Sequence, residues 1–223
     1  MRVAGDGAEI RSSFVHAQLR KDVLQGTLPP GSRLRVAQLA ERFSVSRSVM
    51  REALTRLTEQ GLAVATPRQG FRVHPLSISD LKELTDARLE VEPLVLRRAI
   101  ERGDIGWESA AVAAHHRLAK TAVDRRTGEL NPSWFTAHED FHRGILQGCG
   151  NHRLYSVAIA LRDSASLYRW WSRPIGGDHH RDVTQEHRQI LEALIDRNGQ
   201  LAGDLLSNHI RRTSDALRDV ADQ

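Results

Sequence analysis

His138, Glu139 and His142 stand in the order H-E-D-F-H. On a helix, residues four apart share a face, so the two imidazoles project side by side. Two such nitrogens with a neighbouring carboxylate are the pattern of zinc peptidases, in which the Glu is the general base. Paired imidazoles also hold metals that break no bonds. The third ligand separates the two uses. The extended motif H-E-x-x-H-x-x-G-x-x-H needs a glycine and then a histidine, and Ile145 and Gly148 stand at those places. The other common scheme takes a Glu further on, and none occurs between Glu139 and Glu186. Glu139 lies three residues before His142, near enough to approach it. Two later histidines suit a binding role better. His187 is followed by Ile190, Leu191 and Leu194, and His209 is flanked by Leu205, Leu206 and Ile210. Each can point into a helical core, either as a hydrogen-bonded interior His or as a metal ligand, and bundles build metal sites from facing helices.

The elements that must position these residues are mostly helical. Asn131-Pro132 is an N-cap and first-turn pair for the helix that carries HEDFH. Helical periodicity recurs over about 80–102, 106–125, 132–148, 152–172, 180–197 and 199–221, with Pro93 kinking or dividing the first of these. No strand signal occurs after residue 75. The expectation for residues 80–223 is an antiparallel bundle of about six helices.

Residues 1–75 read differently. Ser12 or Ser13 caps a helix whose apolar face is Val15, Leu19, Val23 and Leu24. LPPG turns the chain at Leu28–Gly31. A short helix follows from about Val36 to Phe43, and a third starts after Ser46, with Val49, Ala53, Leu54 and Leu57 inward. Two extended runs, LAVAT and FRVHP, are joined by a turn at Pro67–Gly70. Three helices and a two-stranded ribbon make a winged helix-turn-helix. Residues 76–79 are the linker, with Ser79 capping the next helix. Overall the fold class is mainly α: a winged helix-turn-helix at 1–75 and a helical bundle at 80–223.

Charge and histidine divide along the same line. Residues 1–75 carry a net charge of +6 and the remainder −2, so the attraction for a polyanion is confined to the N-terminal part. Histidine runs the other way: nine of the eleven lie beyond residue 75. No apolar run is long enough to span a bilayer. The lone Cys149 forms no internal disulfide, and with no secretory h-region at the N-terminus this fits a cytoplasmic protein.

Within the N-terminal part, Ser46 and Ser48 open a helix, where hydroxyls and free N–H groups hold phosphate. Arg47 and Arg51 share the face opposite the apolar stripe, and Arg can read guanine in the major groove. Here the stretches GTLPPGSRL, LAERFSVSRSVMREALTRL, EQGL and PRQGFRV resemble the GntR family of bacterial transcription regulators. The resemblance implies base contacts from Arg47 and Arg51 and a wing, Arg68, Gln69 and Gly70, approaching the minor groove. One departure is Val36, preceded by Arg35, where many relatives carry Glu.

DARLEVEPLVLRRAI, FHRGILQGCGNHRL and EHRQILEALIDRNGQLAGDLLSNHI resemble the effector-binding FCD domain of FadR-type members of that family. In metal-binding relatives the ligands are an Asp four residues before the FH His, that His, and two later His. Carried over, these are His138, His142, His187 and His209, with His138 replacing the family Asp or turning away. A carboxylate-free set disfavours hard ions and suits Zn²⁺ first, then Ni²⁺ or Cu²⁺. It also leaves more positive charge to attract an anionic effector, of which a small carboxylate is the obvious class. Arg88 matches a family Arg that often faces the pocket. It pairs either with that carboxylate or with Glu92, four residues on.

The function implied is a non-enzymatic, homodimeric transcription repressor on a pseudo-palindromic double-stranded DNA operator, with no membrane partner and its DNA affinity set by the effector. Two alternatives stay open in the sequence: a metallohydrolase built on HEDFH, and a DNA-binding regulator whose bundle only dimerises and holds no metal.

Overall fold

Gly26, at φ 76°, lets the chain leave α1 (Val3–Leu24) and turn towards the strand β1 (Arg33–Leu34). The side chain of Ser46 accepts the Val49 N–H at 3.3 Å and starts α3 (Arg47–Glu59), which follows α2 (Val36–Arg42) across a turn with Ser44 at φ 52°. Strands β2 (Ala63–Thr66) and β3 (Gly70–Val73) follow. The computed structural model describes the backbone of residues 3–123, 131–171 and 182–221.

The stripe expected on α1 is buried: Val15, Leu19, Val23 and Leu24. They meet Met50, Ala53, Leu54 and Leu57 of α3 in the core of this unit. Met50 is fully buried, whereas Val49, expected inward, is half-buried. Ser12 and Ser13 lie inside α1 rather than capping it; Ser12 is buried, and Ser13 accepts a hydrogen bond from Arg56 at 3.1 Å. The ribbon gains a third strand. β3 is central, paired antiparallel with β2 and with β1 in the register Arg33↔Arg72 and Leu34↔Phe71. By packing, this unit runs to Asp80 and also holds Asp163–Trp171, where Asp163 takes the Arg20 guanidinium and Tyr168 donates to Asp80.

The second unit holds α4 (Ile78–Arg102) from Leu81 on, α5 (Ile105–Lys120), α6 (Pro132–Gln147), α7 (His152–Trp171) as far as Arg162, α8 (Val183–Ile195) and α9 (Gly199–Ala221). These are the six expected helices. Their starts are set by side chains that accept otherwise unpaired N–H groups: Asp104 for α5, Asn131 for α6, Asn151 for α7 and Asp182 for α8. Ser77, not Ser79, caps α4, accepting the Asp80 N–H at 3.0 Å. Pro93 lies inside α4 without dividing it. The core joins Val95, Leu96 and Ala99 of α4 to Phe141 and Ile145 of α6, Ile190 and Leu194 of α8, and Leu206 and Ile210 of α9. Among the described residues no helix is long and apolar enough to cross a membrane.

Leu54 of α3 is fully buried. Leu54→Ala is expected to cost about 2–5 kcal/mol through lost burial and the cavity left behind, read as a lower urea midpoint of the first unit.

Candidate metal centre

Asn131 and Pro132 fix where α6 begins, and with it which residues face inward. Phe135, His138, Glu139, Phe141, His142, Ile145 and Leu146 are buried, and Asp140 is exposed. The apolar residues at helical spacing hold both imidazoles in the core. His187 is buried on α8 with Ile190 and Leu191, and His209 on α9 with Leu206 and Ile210. All four histidines are at most 6% exposed.

They converge. One donor atom from each of His138, His142, His187 and His209 lies within 4.8 Å of all the others. His142 Nε2 and His187 Nε2 are 3.1 Å apart. His138, whose direction the sequence left open, turns inward: its ring lies 4.6 Å from His142 and 5.0 Å from His187 and stacks on Trp134 at 4.9 Å. Burial, then the positive charge of Arg162, then the other imidazoles hold the His142 pKa well below the usual imidazole value. Burial and the same histidines do so for His187, with His115 and Arg162 adding to the effect. Both rings are therefore neutral near pH 7, the state in which a ring nitrogen can donate to a metal. His142 Nδ1 is buried and makes no hydrogen bond among the described residues. Four close, buried imidazoles, one nitrogen donor from each, fit a divalent ion of the imidazole-binding class.

A second constellation lies alongside. Glu92 is fully buried and accepts from Arg88, and from Arg162 Nη1 at 2.8 Å. Arg162 is 1% exposed and lies 3.7 Å from Glu139. Burial pushes the Glu92 carboxyl up, but the two guanidinium charges and their hydrogen bonds outweigh it and hold the pKa below the ordinary value. Of the two partners open to Arg88 in the sequence, the structure shows Glu92. Arg162 escaped the sequence reading, since an Arg in LRDSASLYR carries no sign of burial. Glu139 lies against His138, with Oε1 3.3 Å from Nδ1. A cleft of about 440 Å³ borders His209 on its outer side and is also lined by Glu186, Arg211 and Arg212. His115 is half-buried and His116 exposed, while the pair His179-His180 lies outside the described residues.

Residues 11–73 match the family described as bacterial regulatory proteins, gntR family, and residues 83–212 match the FCD domain. The chain belongs to the GntR family, in its FCD-bearing branch. It is 29% identical over 195 residues to the HTH-type transcriptional repressor GlaR of Escherichia coli K12, covering 86% of this chain and 89% of that one. It is 30% identical over 209 residues to the HTH-type transcriptional regulator BphR of Paraburkholderia xenovorans, covering 90% and 82%. The solved structure of E. coli McbR/YncC shares the fold, with a TM-score of 0.79 at 20% identity over 94% of this chain and 97% of that one. These relatives are regulators, so the hydrolase reading of HEDFH falls, and this GntR protein is a DNA-binding transcription regulator rather than an enzyme.

The surface of the GntR head carries the residues that the sequence marks for DNA. Arg47, Ser48 and Arg51 are exposed on α3, and Ser46 is its exposed N-cap, with its hydroxyl 2.8 Å from that of Ser48. Arg68, Gln69 and Gly70 are exposed at the tip between β2 and β3, and Arg35 is exposed just before α2.

Replacing Glu92 by Gln removes the buried carboxylate charge that Arg88 and Arg162 share. Glu92→Gln is expected to destabilise the bundle by about 3–5 kcal/mol, measured by urea unfolding at pH 7. The folded pKa is depressed, so the charge-dependent part of that stability is present above the ordinary carboxylate value and is lost as the pH falls through the folded one. The gap between wild type and variant should therefore narrow on acidification below the ordinary carboxylate value.

Proposed function

We propose that this GntR regulator is a cytoplasmic homodimer that represses transcription from a pseudo-palindromic operator and is switched by a small carboxylate bound at a metal in its FCD domain. The observation that carries the sensing half is the convergence of four buried imidazoles from three helices. His138, His142, His187 and His209 would hold the ion. Zn²⁺ is the first expectation and Ni²⁺ or Cu²⁺ the next, because the four donors are all imidazole nitrogens. The ion supplies a positive centre to which a carboxylate can bind. Arg88 lies against Glu92 and, exchanging that partner, would take up the effector's carboxylate. To change DNA occupancy, the effector must bind the DNA-free and DNA-bound forms with different affinity.

At the operator, Arg47 and Arg51 would read bases in the major groove. Ser46, Ser48 and Arg35 would contact phosphate, and Arg68, Gln69 and Gly70 would enter the minor groove. Dimer symmetry would match two half-sites about one helical turn apart.

Two measurements test the two halves. Arg47→Ala and Arg51→Ala should each lose about 1–3 kcal/mol of preference for operator over random DNA, with a smaller loss of general affinity. Fluorescence anisotropy on both DNAs reads this, and an equal loss on the two would remove base reading from these residues. Protein purified without a His tag should hold about one equivalent of metal per subunit by elemental analysis, and His142→Ala should lose it. Less than about half an equivalent after resupply with Zn²⁺ or Ni²⁺ would leave a bundle that only dimerises.

A further inference from the structure

Each imidazole has two nitrogens, and the partner of one decides what the other can do. His138 Nδ1 lies 3.3 Å from Glu139 Oε1, and His209 Nδ1 lies 2.8 Å from Glu186 Oε2. A carboxylate oxygen accepts, so Nδ1 is the donor in both rings and Nε2 is the nitrogen free of that bond. His142 and His187 already face each other through Nε2. The carboxylates are held in turn by arginines. Arg212 Nη1 lies 2.9 Å from Glu186 Oε1, and Arg162 Nη2 lies 3.7 Å from Glu139 Oε1.

We propose that Glu139 and Glu186 are orienting carboxylates that fix His138 and His209 with Nε2 directed into the four-histidine cluster. The proposal rests on reading that cluster as a metal site. It gives the glutamate of HEDFH a role that hydrolysis does not supply. Glu139 engages Nδ1 of the ring, away from the atom that would meet the ion, and so acts on the ligand rather than on a substrate. Glu139 thus brings its carboxylate to His138 through the ring's far nitrogen and not as a direct ligand. Such a partner raises the basicity of the imidazole and removes the freedom of the ring to flip.

The test uses full-length, untagged protein stripped with a chelator. Zn²⁺ is titrated against a competing chromophoric chelator for wild type, Glu139→Ala, Glu186→Ala and Asp140→Ala. Each Glu→Ala variant should bind Zn²⁺ about 10–100-fold more weakly, and Asp140→Ala, an exposed carboxylate on the same helix, should stay within about twofold of wild type. Glu139→Gln and Glu186→Gln, whose amide oxygen still accepts from Nδ1–H, should recover part of each loss. A long-range ¹H–¹⁵N spectrum of the Zn²⁺-loaded wild type should show His138 and His209 protonated at Nδ1 and bound through Nε2, independently of whether any variant folds. Zn²⁺ affinities of both Ala variants within about twofold of wild type, or metal bound through Nδ1, would overturn the proposal while leaving the metal site intact. Failure of wild type to bind Zn²⁺ or Ni²⁺ at all would overturn the metal reading and the proposal with it.

Discussion

Four imidazoles whose donor atoms lie within 4.8 Å of one another cannot all carry charge. In water each would protonate near pH 6.5, but in the core of the bundle burial and mutual repulsion hold His142 and His187 well below that value. The neutral state keeps their lone pairs available, and the same neutrality leaves buried polar atoms that the protein does not fully satisfy, His142 Nδ1 among them. Burying a polar group without a partner is costly. Such a cluster persists in a folded core only because aliphatic and aromatic neighbours on α6, α8 and α9 hold it there. Phe141 stands edge-on to both His142 and His187. The hydrophobic packing of three helices and the polarity of the site are one construction.

The charged residues beside it follow a different rule. Arg88, Glu92 and Arg162 are all buried, and a buried ion pair seldom stabilises more than the apolar residues that would replace it. What it does is fix geometry. Arg162 joins a carboxylate on α4 to one on α6, so these helices and α7 are tied in one register around the histidines. Its positive charge also adds to the forces that keep His142 and His187 unprotonated.

Periodicity made most of this legible. The helices of the bundle, the inward faces of His187 and His209, and the turn between α2 and α3 all follow from apolar spacing and from capping residues next in sequence. The misses share a cause. β1 is two residues long, too short to show an alternation, and exists because β3 offers it a free edge. Met50 displaces Val49 as the buried residue of α3 because α1, not local pattern, decides which way that face looks. Ser77 rather than Ser79 caps α4, a choice between two neighbouring hydroxyls that spacing alone does not settle. Arg162 was illegible because its reason for burial, Glu92, lies far away in the chain. The direction of His138 depended on Glu139 and Trp134, whose positions only the packed helix shows.

The third strand has a further effect on the head. With β3 bonded on both sides, the hairpin that ends in Arg68, Gln69 and Gly70 is clamped up to its last residues, and the backbone of Arg68 is already in the left-handed region, at φ 63°. Ordering a loop at an interface ordinarily takes conformational entropy out of the binding free energy. Here that loss falls on folding instead, and the tip is already shaped before any partner arrives.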